Sequence, residues 1–199
     1  MSRPGARLAT AADVAVVCTT LALAFADDPV WGWWAFPDPA DRVERLSRYW
    51  EPFVRAGLKY DGVWVTADAG AVAVWVPPGV AEMDSEDEAA AAATVEELCG
   101  DRARLLLDCF DRFDAAHPRA EPHWYLSLLA THPDRRGAGL AMGLVTDRLD
   151  LADADHLGAY LESTNDGNLP RYEKAGFRRF GTVDVPQGPT VTTLWRPAR

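Results

Sequence analysis

Cysteine is scarce in this chain, and the three present are badly placed for structural work. Cys18, Cys99 and Cys109 are odd in number and form no Cys-x-x-Cys pair. That excludes a disulfide framework and a thiolate zinc site, and the plain expectation is a reducing cytoplasm. The four histidines, His117, His123, His132 and His156, have no metal-ligand spacing, so no metal is expected. No apolar run reaches the roughly 18 residues of a membrane span. The start, Met1 to Leu8, lacks the apolar stretch of a signal peptide. Basic residues are also short, 20 against 30 acidic ones, and the net charge of −10 argues against nucleic acid as a partner. No internal repeat is visible. Neither a Walker loop nor a Gly-x-Gly-x-x-Gly dinucleotide fingerprint occurs.

What is present is core-forming material. Of 199 residues, 48% are hydrophobic and eight are Trp, enough for one domain over 1–199 with a sizeable interior. Arg7 to Thr10 reads as a short strand, and Thr10 with Asp13 as a capping-box-like start to a helix reaching about Asp27. Asp27 and Asp28 with Pro29 end that helix. An aromatic patch follows in what reads as loop: Trp31, Trp33, Trp34 and Phe36. These rings either cap the core or line an aromatic ligand pocket. A second helix is expected from Pro39 to Ala56, capped by Asp38 and stopped by Gly57. Two runs, 62–66 and 71–76, flank a turn and predict a hairpin. From Val80 to His117 the pattern is helical, with the acids at 84–88 as an exposed first turn.

The most informative stretch is 125–145. An apolar strand meets Pro133-Asp134, and helical periodicity starts near Gly139, with Arg136, Gly139 and Ala141 spaced Arg-x-x-Gly-x-Ala. Glycines allow close backbone approach, and the free N–H groups of a first helical turn bind phosphate oxygens. The segment is therefore a candidate pyrophosphate cradle, although such a glycine-rich helix start is also an ordinary turn. The helix returns to a strand at 159–163, which should lie parallel to the central one. A turn at 165–168, a short helix from Leu169 to Ala175 and strands near 177–183 and 191–195 complete a mixed α/β sheet of about seven strands flanked by helices.

Residues 133–141, read after their strand, resemble the acetyl-CoA-binding motif of the GNAT acetyltransferases. Leu161-Glu162-Ser163-Thr164-Asn165, followed by Pro170-Arg171-Tyr172-Glu173-Lys174-Ala175-Gly176-Phe177, resembles the same family's next strand and its Tyr-Glu-x-x-Gly-Phe signature. The similarity extends over most of the chain toward members that acetylate puromycin-like aminonucleosides, and is weakest at about 28–60 and 80–118, where the family builds its acceptor pocket.

The resemblance implies a GNAT fold with parallel central strands that splay, and direct acetyl transfer from acetyl-CoA to a small-molecule amine. It implies that main-chain groups of Leu129, Ala130 and Thr131 pair with the pantetheine arm. Those of Arg136, Gly137, Ala138, Gly139, Leu140, Ala141 and Met142 would hold the diphosphate, while Asn165 and Asn168 orient cofactor or backbone. Tyr172 occupies the general-acid position. Glu162 is the candidate base, with the Asp27-Asp28 pair a rival that would bind a cationic substrate. Asp28, Trp31, Trp33 and Trp34 are expected around the acceptor, and His132 at the strand end. The alternatives are a protein or peptide N-acetyltransferase, which needs an open groove, and a non-catalytic acyl-CoA-binding module.

Overall fold

The computed structural model describes residues 5–199; residues 1–4, part of the start that lacks a signal-peptide pattern, lie outside the described residues. Period-2 runs form seven strands: β1 (Ala6–Leu8), β2 (Val63–Thr66), β3 (Ala71–Val76), β4 (His123–Thr131), β5 (Gly158–Ser163), β6 (Arg178–Asp184) and β7 (Thr190–Arg196). They make one sheet in the order β1-β2-β3-β4-β5-β7-β6. β4 and β5 are parallel, and the other neighbours are antiparallel. That is the mixed α/β sheet expected from the motifs.

Both faces are covered, and β3 shows how. All six of its residues are buried. Val72 and Val74 join Leu128 and Ala130 in a core shared with the helices α1 (Val14–Phe25) and α2 (Arg42–Leu58). Ala71, Ala73 and Trp75 alternate to the other face, where they meet Leu144, Val145 and Leu149 of α5 (Leu140–Ala154) and Leu169 and Tyr172 of α6 (Leu169–Lys174). Alternating burial is what a strand's pleat imposes when both faces are packed. α5 also lays Arg148 over the ring of Trp124 at 4.4 Å and that of Trp64 at 5.2 Å. The helical stretch between β3 and β4 is two helices, α3 (Ser85–Cys99), capped by the Asp84 carboxylate, and α4 (Ala103–Ala116).

Three local expectations are corrected. Helix α2 begins at Arg42 because the Asp38 carboxylate closes its own short turn, accepting from the Ala40 N–H at 2.9 Å. Gly57 lies inside α2 rather than stopping it. A Cβ there would meet Val74 Cγ1 at 2.9 Å and Val63 Cγ2 at 3.0 Å, so the glycine lets the helix press on the sheet. The aromatic patch is not loop either: residues Pro29–Ala35 wind into a π-helical turn.

Candidate active site

The site starts from a defect in the sheet. β4 and β5 pair from His123 with Gly158 to Leu126 with Leu161, and there the pairing stops. β5 continues along β7 through Glu162 and Ser163, and β4 along β3 to Thr131, so the two strands part. At the same place the β3–β4 register slips: Trp75 faces Leu126 and Val74 faces Leu128, which leaves Ser127 as a bulge. A bulge bends its strand and adds twist, which opens the gap. The His132 N–H donates to the Gly70 carbonyl at 2.8 Å, and Val72 opposes Ala130 in the same register. Strand alternation therefore turns the main chain of Ala130 toward β3, and that of Leu129 and Thr131 into the gap. Of the three positions expected to meet the arm, Ala130 is the one whose peptide groups are already committed.

The turn after β4 has the form of an anion cradle. Pro133–Arg135 make a short 3-10 turn capped by His132, whose Nδ1 accepts from the Asp134 N–H at 3.2 Å. That contact makes His132 a capping residue. Gly137 and Gly139 then take φ of 89° and 70°, a left-handed backbone that other residues adopt only at a cost. A Cβ at either would meet nothing within 4 Å, so space stands open beside the main chain. No side chain caps α5, whose first internal bond runs from the Gly143 N–H to the Gly139 carbonyl. The N–H groups of Leu140, Ala141 and Met142 are thus left outside the helical ladder with the positive end of the helix behind them. Arg135 pairs with Asp68, and Arg136 reaches the Ala24 carbonyl at 3.4 Å.

A small cavity of about 60 Å³ occupies the gap between the strands, walled by Leu129, Ser163, Asn168 and Tyr172 among others. Tyr172 is 8% exposed, its ring edge-on to Phe177. Burial raises its phenol to about 12 against the opposing pull of Arg171, so it keeps its proton at neutral pH. Asn165 accepts from the Gly167 N–H at 2.9 Å and caps the turn before α6. Asn168 accepts from Arg171 at 2.5 Å.

A second cavity of about 1120 Å³ opens from the first, and Trp31, Ser127, Leu128, Glu162 and Thr164 line both. Glu162 therefore stands where the two meet. Its carboxyl is pushed up to about 8, chiefly by burial and further by Glu82, while Tyr125 and Tyr160 pull it down. Glu82, on the segment between β3 and α3, is likewise raised by burial and accepts from Ser127 Oγ. Both residues are half-buried, and both line the wide cavity. Nearby, His117 stacks edge-on to Tyr125 and Tyr160, and its Nε2 lies 3.1 Å from that of His123. Burial, with His123 beside it, drops His117 to about 4, so His117 is neutral at pH 7.

The aromatic turn is placed only in part as the sequence implied. Trp31 lines both cavities and packs against Tyr49, Trp50, Phe110 and Phe113. Trp33 is 58% exposed and points away from them. Trp34 is buried elsewhere, donating its indole N–H to the Pro186 carbonyl at 3.0 Å, with Arg102 over its ring. Asp28 caps the aromatic turn and also lines the narrow cavity. Its carboxylate accepts from the N–H groups of Val30 and Trp31 and from Thr164 Oγ1, and so ties the aromatic turn to the end of β5.

Glu82, Ser127, Tyr125 and Tyr160 were missed from the sequence. The two tyrosines had a signal, since Tyr160 and Glu162 share a strand face by alternation and Tyr160 sits opposite Tyr125. Glu82 had none, being one acid ahead of an acidic helix start.

The acetyltransferase (GNAT) family matches the chain over residues 33–177. The fold is similar to that of a histone acetyltransferase HPA2 and related acetyltransferase from Corynebacterium glutamicum, at 24% identity over 100% of this chain and 98% of that one, with a TM-score of 0.65. An N-acetyltransferase from Staphylococcus aureus is similar at 16% identity, 96% and 98% coverage and a TM-score of 0.59. The arylalkylamine N-acetyltransferase 2 of Aedes aegypti is similar at 16% identity, 98% coverage of both chains and a TM-score of 0.58. A family match over most of the chain, on a sheet that splays where that family's strand and turn motifs lie, makes this protein a member of the GNAT acetyltransferases.

Proposed function

We propose that the protein moves acetyl from acetyl-CoA to the primary amine of a small aromatic acceptor, of the aminonucleoside kind that puromycin represents. The observation that carries this reading is the junction of the two cavities, with Tyr172 in the narrow one, the aromatic walls in the wide one, and Glu162 common to both. Segments along the sequence support the acceptor: Arg7 to Thr10, Ala71 to Trp75, Asn168 to Pro170 and Val185 to Pro189 resemble puromycin N-acetyltransferase. With three free cysteines and, among the described residues, no single helix able to cross a membrane, the reading places the activity in the cytoplasm, with antibiotic resistance as its role.

Acetyl-CoA supplies the activated acyl group. The residues present fit it: the peptide groups of Leu129 and Thr131 face the gap, and open space adjoins the two left-handed glycines and the unladdered N–H groups of α5. An N–H near Leu129 would polarise the acyl oxygen, a contribution of roughly 3–4 kcal/mol in comparable sites. Glu162 takes the proton from the attacking amine, directly or through a water. For an α-amino group, deprotonation at pH 7 costs only about 1–1.4 kcal/mol, against roughly 4.6 for a lysine-like amine. Tyr172 gives its proton to the departing sulfur, whose thiol form has a pKa of roughly 8.5 if it behaves like cysteine.

The test is acetyl-CoA-dependent thiol release with puromycin and a panel of aromatic amines. Tyr172→Phe is expected to lower kcat about 10²-fold or more with acetyl-CoA binding retained. Turnover of a peptide panel and of no small amine would favour the protein-acetylating alternative.

A further inference from the structure

We infer that Glu82, held by Ser127 at the bulge of β4, binds the ammonium of an acceptor that enters as a cationic aromatic monoamine. The inference rests on the acetyltransfer reading above and assigns the acceptor's recognition within it. Ser127 lines both cavities, so the carboxylate it holds is stationed where the acceptor's nitrogen must pass to reach the acyl group. Glu162 stands at the same junction, and Glu82 raises its cost of ionisation. Among the described residues lining the wide cavity, Arg119 is the one guanidinium or ammonium, and it is paired with Asp114 at 2.6 Å. No protein cation answers the two acids, so burial by itself favours their protonated forms, and an ammonium arriving with the substrate is the partner that would hold them ionised.

The rest of the ligand is read from the walls. Trp31, Tyr49, Phe53, Phe110 and Phe113 line the wide cavity with ring centroids 5.6–6.4 Å apart in the pairs they form. These rings pack on one another, and together they give the cavity an aromatic wall on which a flat aromatic body can lie. Two carboxylates then divide the work. Glu82 neutralises the arriving ammonium, and Glu162 removes its proton.

The probe is phenethylamine, assayed by thiol release with wild type, Glu82→Gln, Glu82→Asp and Ser127→Ala. Glu82→Gln is expected to raise the KM for phenethylamine tenfold or more, with kcat within about threefold and the KM for acetyl-CoA unchanged. Glu82→Asp should recover part of the loss, and Ser127→Ala should move KM the same way by less. An unchanged KM in Glu82→Gln, or a fall in kcat with KM constant, overturns the assignment. If wild type releases no thiol with any amine, the acetyltransfer reading falls. Calorimetry of phenethylamine and of 2-phenylethanol with the CoA-bound proteins then still decides the role of Glu82. Phenethylamine binding tenfold weaker in Glu82→Gln, with the alcohol unaffected, sustains it; equal affinities, or no binding to wild type, overturn it.

Discussion

Glu162 has the unusual task of being a carboxylate that ionises near neutrality. Its carboxyl moves from 4.5 to about 8 because burial disfavours the charged form more than Tyr125 and Tyr160 favour it, with Glu82 adding to the rise. A base must be ionised to work, so kcat should climb with pH through about 8 and level off above it. Glu162→Gln should flatten that limb and lower kcat roughly 10²- to 10⁴-fold; an unchanged profile would remove Glu162 from the mechanism. Stability changes with the opposite sign. Between 4.5 and about 8 the unfolded chain has released this proton and the folded one has kept it, so stability falls as pH rises through that window. Glu162→Gln should therefore melt higher than wild type at pH 8.5 and equal it at pH 4, as thermal denaturation can check. At this scale the family motifs pointed to Tyr172, which lines the narrow cavity, and to Glu162, which lines both. They could not reach Asp28, whose carboxylate a distant partner, Thr164, turns into a tie between elements.

Among the elements, α5 bears most on the site, since its two ends do different things. At its start, Gly139 holds a φ of 70° beside open space. Gly139→Ala would cost about 1–2 kcal/mol of backbone strain and push a methyl group toward the diphosphate's place. The KM for acetyl-CoA is expected to rise tenfold or more while that for the amine stays put; equal values in both proteins would show that the cradle lies elsewhere. At the far end of α5, Asp153 receives Arg196 of β7 through two bonds of 2.7 and 2.5 Å, and Arg196 also donates to the Ala175 carbonyl at 3.2 Å. The Arg196 side chain is 3% exposed. Asp153→Ala would strand that guanidinium and should cost about 3 kcal/mol by urea denaturation. An unchanged midpoint would mean that water reaches the charge. Strands and helices were legible because their periods of 2 and 3.6 are local. The π-helical turn at 29–35 and the burial of Gly57 were not, since both depend on what lies across the fold.

Over the whole molecule, a net charge of −10 acts oppositely on the two substrates. On the proposed reading it draws a cationic amine and repels the anionic cofactor, which main-chain donors would hold. Raising the salt from 0.02 to 0.5 M, about the range over which the Debye length shrinks from beyond 10 Å to below it, should raise KM for the amine and lower KM for acetyl-CoA. Movement of both in one direction would contradict this account. The order of apolar strands and periodic helices, the glycine-rich turn and the Tyr172 signature are linear features, so the sequence alone determined the sheet and its parallel central pair, and it pointed to the turn proposed for the cofactor. The acceptor half waited on the tertiary structure. Glu82, Ser127 and Glu162 come from three separate segments, and they meet because the bulged Ser127 donates to Glu82 in the cavity that all three line, which no spacing along the chain can encode.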